Sequence, residues 1–555
     1  MARRNFLLKA PVAAVGIGAM VSMNALEAAS VATGQKPAGT GSANYSGAGA
    51  PKLIVQDGAA EVDTAYGRVR GFIRNDIRTF RGVPYGGDTS GANRFMPPTK
   101  PTPWKGVRSS LYWGPGSPQT IPKRDNDEIT FFGNPPAAEY GEDCLRVNVW
   151  TPGLDNAKRP VMVWMHGGGY SHGIPQLCFY DGENLAHRGD VVVVSIHHRL
   201  NVVGFLNLAS YSSKYADSAN VGVMDLVAAL QWVHDNIAGF GGDPGKVTIL
   251  GESGGGGKVM TTLTMPSAKG LVHRASIQSG SGAVYGYTKP EQSAEIAANL
   301  LKELNLSPSH VDELQKIPID QLVEASGKIR GGWGPTVDGR SLPIPAFYPT
   351  APEISADVPI IVGSNLNEQT YSVGHPELEN MTETEARGLL SKAAFGDADA
   401  IYAAFLKAYP GSKPYDVYSL AMATPGRQSA LMVAQRKVAQ GRAPAYNYLF
   451  SWKAKHLNGR PRAFHMAEIS FQFYTTDLSE ARTGASDEAR ALAAKVCDCW
   501  VAFARTGNPN HPGVPHWPAY DPRTVPTMIF DNVCIVKNDP VGEARRLIKP
   551  ITSSI

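Results

Sequence analysis

The chain has 555 residues, 43% of them hydrophobic and 18% charged, and its 53 Lys and Arg against 49 Asp and Glu leave a formal charge of +4. This is the composition of a folded enzyme with long loops, since 58 Gly and 41 Pro are abundant without reaching the level of disorder. So small a charge and only five cysteines exclude an electrostatic nucleic-acid binder and a disulfide scaffold.

Residues 1–30 read as an address. Arg3, Arg4 and Lys9 precede a mildly apolar run from Ala10 to Met23, and Ala25, Ala28, Ala29 and Ser30 follow where a signal peptidase could cut. The run is shorter than the roughly 18 residues of a membrane span and contains Gly and Pro. Arg3-Arg4-Asn5-Phe6-Leu7-Leu8-Lys9 resembles a bacterial twin-arginine signal, with Ala2 where Ser or Thr is usual and Lys9 one place late. An ordinary secretory signal is the alternative, and both predict export to the periplasm or medium. Residues 31–50, rich in Gly, Ala, Ser and Thr, predict a flexible linker. Residues 51–555 show no internal repeat and predict a single domain.

Four short apolar runs, at residues 160–165, 191–195, 247–250 and 359–362, predict strands buried on both faces. Between them, residues 225–237 carry apolar side chains at three- and four-residue spacing and predict a helix. Alternating strands and helices predict an α/β fold with a mostly parallel sheet and chemistry beyond the carboxyl ends of its strands.

Behind the first run stands His166-Gly167-Gly168-Gly169-Tyr170, where backbone N–H groups uncrowded by side chains could bind an oxyanion. A plain glycine turn is the bland alternative. Behind the third run comes Gly251-Glu252-Ser253-Gly254-Gly255-Gly256-Gly257, with a helix expected from residue 258. This G-x-S-x-G in strand–turn–helix context predicts a nucleophilic serine on a sharp turn. A phosphate-cradling loop is not met, because Val259 rather than Ser or Thr follows Lys258. For an acid, the loop Gly363-Ser364-Asn365-Leu366-Asn367-Glu368 beyond the fourth run is the best placed. For a base, spacing leaves His273, His310, His375, His456, His465, His511 and His516 equal.

Taken together the residues resemble the type B carboxylesterases of the α/β-hydrolase fold, in particular para-nitrobenzyl-esterase-like members, over roughly residues 60–535. The likeness rests on Phe80-Arg-Gly-Val-Pro-Tyr85, Glu142-Asp-Cys-Leu-Arg-Val-Asn-Val-Trp150, Asn236-Ile-Ala-Gly-Phe-Gly-Gly-Asp-Pro244, Pro335-Thr-Val-Asp-Gly339, Trp500-Val-Ala-Phe-Ala-Arg-Thr-Gly-Asn-Pro-Asn510 and Trp517-Pro518. The resemblance implies a serine esterase acting through an acyl-enzyme, with Ser253, Glu368 and His465 as triad and the N–H groups of Gly168, Gly169 and Gly254 as oxyanion hole. It implies no metal or cofactor, and Glu468, three residues past His465, reads as structural.

Gly254 stands where the family often has alanine, which implies a slightly larger acyl pocket. Ser117 stands where many relatives carry the cysteine that pairs with the equivalent of Cys144, so that bridge is expected to be absent. Cys497 and Cys499 read as buried thiols.

The expected partner is a small-molecule ester, with no nucleic acid and no membrane segment in the mature chain; nothing in the sequence signals an oligomeric state. Loop aromatics (Trp104, Tyr112, Trp113, Phe131, Phe132, Tyr170, Phe179, Tyr180, Trp333) could line an apolar gorge or anchor loops on the core, with Tyr170 and Trp333 the first candidates for substrate contact. Competing readings are the same mechanism on amides, lactones or lipid esters, and a non-catalytic adhesion protein on the same fold.

Overall fold

The computed structural model describes residues 52–120, 138–282 and 287–549. The proposed signal and linker, together with Phe131 and Phe132, lie outside the described residues.

Among the described residues fifteen strands form two sheets. The first seven are β1 (Leu53–Ile54), β2 (Glu61–Thr64), β3 (Gly67–Arg70), β4 (Phe72–Arg74), β5 (Ile77–Pro84), β6 (Val107–Ser109) and β7 (Arg146–Thr151). Then come β8 (Arg159–Met165), β9 (Val192–Ile196), β10 (Gly242–Glu252) and β11 (Arg274–Gln278). The last are β12 (Ile360–Asn365), β13 (Ala445–Phe450), β14 (Pro526–Phe530) and β15 (Ile535–Asn538). Twelve of them make one sheet in the order β1-β4-β5-β7-β9-β8-β10-β11-β12-β13-β14-β15, and β2, β3 and β6 make a small one. From β9 through β14 every pair is parallel; the flanks β1-β4-β5-β7 and β15 are antiparallel.

The four apolar runs become β8, β9, β10 and β12 because each strand is buried on both faces. In β8, Val161, Val163 and Met165 join the core on one side of the sheet, while Met162 and Trp164 join the core on the other. Each fully buried side chain of this size contributes about 1.5–3 kcal/mol. Helix Val221–Asn236 packs Val223, Leu226, Leu230 and Val233 on the first side; helix Asp487–Thr506 packs Leu492, Val496, Trp500 and Phe503 on the second. Parallel strands covered this way leave their carboxyl ends in line, and the motif residues follow directly on β8, β10, β11 and β12. No helix among the described residues is long and apolar enough to cross a membrane.

One boundary differs from the sequence reading. The helix expected from residue 258 begins at Gly254, so four glycines stand in its first turn. Intrinsic propensity argues against that. Packing decides it: a Cβ on Gly256 would lie 2.9 Å from Gly280 Cα and 3.0 Å from Gln278 O, so only glycine lets the helix approach the end of β11.

Candidate active site

Ser253 joins β10 to helix Gly254–Thr262 at φ 57°, ψ −124°, a conformation that costs a non-glycine residue about 1–3 kcal/mol. The neighbours enforce it. Ser253 N–H donates to Gln278 O at 2.8 Å, and Gly257 N–H donates to Ser253 O at 3.1 Å. A Cβ on Gly251 would lie 2.5 Å from the Gly255 carbonyl carbon and 2.7 Å from Met165 O. A Cβ on Gly255 would overlap Met165 O outright, so the two glycines flanking Glu252-Ser253-Gly254 are sterically required.

Beyond β8 the chain turns through Gly168 at φ 86° and Gly169 at φ 61°, and His172 N–H closes the turn on Gly168 O at 3.2 Å. Gly169 is exposed, while Ser253 and Gly254 are half-buried. A Cβ on Gly254 would overlap N, Cα and O of Gly169. The missing methyl therefore does not enlarge an acyl pocket, as the resemblance implied: the backbone of Gly169 occupies that volume.

Across the sheet, His465 Nδ1 lies 2.5 Å from Glu368 Oε2. The other carboxylate oxygen of Glu368 accepts Ser279 Oγ–H at 2.8 Å and Asn365 N–H at 2.9 Å. His465 N–H donates to Glu368 O at 2.7 Å and Glu368 N–H to Ala463 O at 3.2 Å, so the two loops are stitched at the backbone as well. Of the seven histidines that spacing left equal, His465 is the one the fold brings to this carboxylate. His310 bonds Ser307, His375 faces Glu377 on the surface, and His511 lies by Lys495 O.

The second nitrogen of His465 faces an unexpected group. Nε2 is 3.2 Å from Glu252 Oε1, and among the described residues it forms a hydrogen bond neither with that oxygen nor with Ser253 Oγ. Glu252 is wholly buried and neither of its oxygens has a hydrogen-bond partner. Burial pushes its carboxyl well above the usual range. Burial works against the imidazolium of His465, but the charges of Glu252 and Glu368 outweigh it and raise its pKa.

A further layer supports this pair. Glu468, also buried, accepts Asn365 Nδ2–H at 2.7 Å and Tyr448 O–H at 3.3 Å, which ties the acid loop to β13. Arg482 lies 4.0 Å above the Phe179 ring and donates to Met466 O at 3.0 Å; burial lowers its pKa to about 10. Ser279, Asn365 and Arg482 were not singled out from sequence: Ser279 only follows an unpredicted strand, and Arg482 belongs to no motif.

Most of the loop aromatics anchor loops. Phe179 and Tyr180 are buried in the core, Trp113 stacks under Arg81 with its ring centroid 4.4 Å from the guanidinium, and Tyr112 is 81% exposed. Trp104 donates Nε1–H to Arg68 O at 2.9 Å. Tyr170 sets its ring edge-on to Phe205 at 5.3 Å and its hydroxyl 3.2 Å from Thr261 Oγ1, so both parts of the side chain are engaged inside the protein. Trp333 packs, partly buried, where two core clusters meet. Cys144 is buried and free, and Ser117 Oγ accepts Leu200 N–H at 3.0 Å.

Three comparisons bear on this geometry. The carboxylesterase family model matches residues 58–540. The para-nitrobenzyl esterase of Bacillus subtilis (strain 168) is 32% identical over 503 residues, covering 88% of this chain and 98% of that protein. The phenmedipham hydrolase of Pseudarthrobacter oxydans is 30% identical over 507 residues, 88% and 97% of the two chains. Among solved structures, an esterase from Clostridium hathewayi described as hydrolysing aliphatic aromatic polyesters superposes with a TM-score of 0.78 at 33% identity, over 90% of this chain and 99% of that one. The Geobacillus stearothermophilus carboxylesterase EST55 superposes with a TM-score of 0.76 at 32% identity, over 88% and 100%.

Proposed function

The chain belongs to the carboxylesterase family and is a carboxylic ester hydrolase of the α/β-hydrolase fold, and from that premise we propose a serine mechanism in which Ser253 attacks, His465 moves the proton and Glu368 orients the imidazole. One observation carries the reading: beyond the parallel strands the sheet presents a serine on a strained elbow and a histidine bound through Nδ1 to a glutamate at 2.5 Å. With Nδ1–H donated to Glu368, Nε2 is the free base.

His465 Nε2 takes the Ser253 hydroxyl proton as Oγ attacks the ester carbonyl, turning to it from the face of Glu252. The N–H groups of Gly168, Gly169 and Gly254 receive the oxyanion, each donor contributing about 3 kcal/mol in comparable sites. The imidazolium then protonates the departing alcohol, and water repeats the sequence on the acyl-enzyme. Esters of aromatic alcohols are the proposed substrates, by analogy with the relative named for para-nitrobenzyl esters. Trp333 is the candidate wall of the pocket.

The test is hydrolysis of para-nitrophenyl acetate, butyrate and octanoate by the purified protein beside Ser253→Ala. The variant should stay folded and lose turnover; a wild-type rate would move the nucleophile elsewhere. We propose also that residues 51–555 form one domain, supported by β1 and β15 lying in one sheet. Export through the Arg3-Arg4 signal is proposed from sequence, and replacing both arginines with lysine should hold the protein in the cytoplasm.

A further inference from the structure

Lys258 has no part in the mechanism above, yet it is among the most enclosed charged residues of the molecule. It stands in the helix that starts beside Ser253, is 0% exposed, and forms no ion pair among the described residues. A buried ammonium without a counterion is costly, and burial lowers the Lys258 pKa to about 7, so its few contacts are informative. Nζ donates to the carbonyl of His166 at 2.8 Å and lies 5.8 Å from the centroid of the Tyr170 ring. Those residues are the first and the last of His166-Gly167-Gly168-Gly169-Tyr170.

We propose that Lys258 is a positioning residue for the oxyanion loop: one ammonium holds both ends of the loop, His166 by its carbonyl and Tyr170 by its ring face, and so sets Gly168 and Gly169 against the elbow. The surroundings fit a charge used to hold main chain. Among the described residues the titratable groups facing it are the imidazoles of His166, His172 and His198 and the phenol of Tyr170, with no carboxylate. His166 and His198 stack at 5.0 Å, their Nδ1 atoms at 2.9 Å from the carbonyls of Gly167 and Arg199. Burial first, and the ammonium second, lower the pKa values of His166, His172 and His198. The Tyr170 end is pinned twice more, since Asn201 N–H donates to its carbonyl at 2.7 Å and its hydroxyl meets Thr261. Between these ends Gly168 and Gly169 have left-handed backbone and no Cβ, and their turn is closed by His172 N–H on Gly168 O at 3.2 Å, so where the ends are held bears on where their N–H groups point. The Gly254-Gly255-Gly256-Gly257-Lys258 run thus gains a common sense: the glycines bring the helix up to the loop, and the lysine that ends them clasps it.

The proposal rests on the reading that Gly168 and Gly169 bind the oxyanion, and the experiment separates the two. Lys258→Met keeps the stem and removes the ammonium. With para-nitrophenyl butyrate, kcat should fall about 100-fold, the size expected when donors are misplaced by an ångström, with KM nearly unchanged. Affinity for a trifluoromethyl ketone, whose serine adduct carries an oxyanion, should fall in parallel, while the Kd of a non-reacting product alcohol stays the same. Tyr170→Leu should give the same signature, and the double variant should lose less than the product of the two. Should Lys258→Met fail to fold, Tyr170→Leu read by the ketone and the alcohol decides alone. A wild-type kcat, or a loss confined to KM, in the variant that folds overturns the proposal. Gly168→Ala is the control: if it also keeps wild-type kcat the oxyanion reading has failed, and if it alone loses kcat only the role of Lys258 has.

Discussion

On the β8–β10 side of the site, the groups proposed to meet substrate are main-chain N–H groups and one serine on a turn held by glycines. On the β12–β13 side they are side chains, Glu368 and His465, whose carboxylate and ring are fixed by Ser279, Asn365 and the backbone between two distant loops. The first half is rigid because nothing larger than hydrogen fits at Gly168, Gly251, Gly254 and Gly255. The second is held by hydrogen bonds and charge, three buried carboxylates around one imidazole. Damage to the first half should be steric and abrupt, and damage to the second graded and dependent on pH.

The largest effect that would test this contrast is at Gly254. Alanine is common there in the family, yet here its methyl would overlap the backbone of Gly169 and displace the loop. Gly254→Ala should lower kcat about 10²–10³-fold, the scale of a lost oxyanion donor, with secondary structure unchanged by circular dichroism. Unaltered kinetics would show that the loop yields freely, and the steric half of the contrast would be gone.

A smaller, pH-dependent effect is expected at Glu252. The proposed reaction needs neutral His465, and the surrounding carboxylates raise its pKa. So kcat/KM should climb with pH through a value above the ordinary 6.5 of histidine and drop as pH falls below it. Glu252→Gln removes one of the three carboxylates that raise the imidazole, and the acid limb should move down toward 6.5. A limb that stays in place in the variant's pH profile would assign the rise to Glu368 and Glu468.

The mildest change is at Ser279. Removing its hydroxyl leaves Glu368 Oε1 still bonded to Asn365 N–H, so Ser279→Ala should cost roughly 1 kcal/mol of orientation, about a fivefold loss of kcat. A hundredfold loss would mean that this side is as brittle as the other.

The same contrast explains what could be read from sequence. A turn that excludes Cβ atoms demands glycine at fixed offsets from one serine, and those offsets are local, so residues 166–170 and 251–257 announced themselves. Glu368 and His465 are 97 positions apart, and only the folded sheet makes one histidine of seven special. There the resemblance, not the spacing, supplied the partner. β8, β9, β10 and β12 were legible as unbroken apolar runs. β11 was not, because its Ser276 and Gln278 are buried polar residues, with Ser276 Oγ accepting Trp500 Nε1–H at 2.9 Å. β15 was missed for the opposite reason, being a mostly exposed edge strand. Glu252 lay within the motif, but its burial against Nε2 depends on the packing around it.

The unbridged cysteines carry a practical consequence. All five thiols are free and four are buried, leaving Cys178 exposed. A maleimide dye should therefore enter at one place without any engineered cysteine. Burial is the first cause that raises the Cys178 thiol pKa, so labelling should quicken as the solution is made alkaline. The dye would sit next to Phe179, whose ring carries Arg482, and could thus report optically on the charged surroundings of the imidazole from outside.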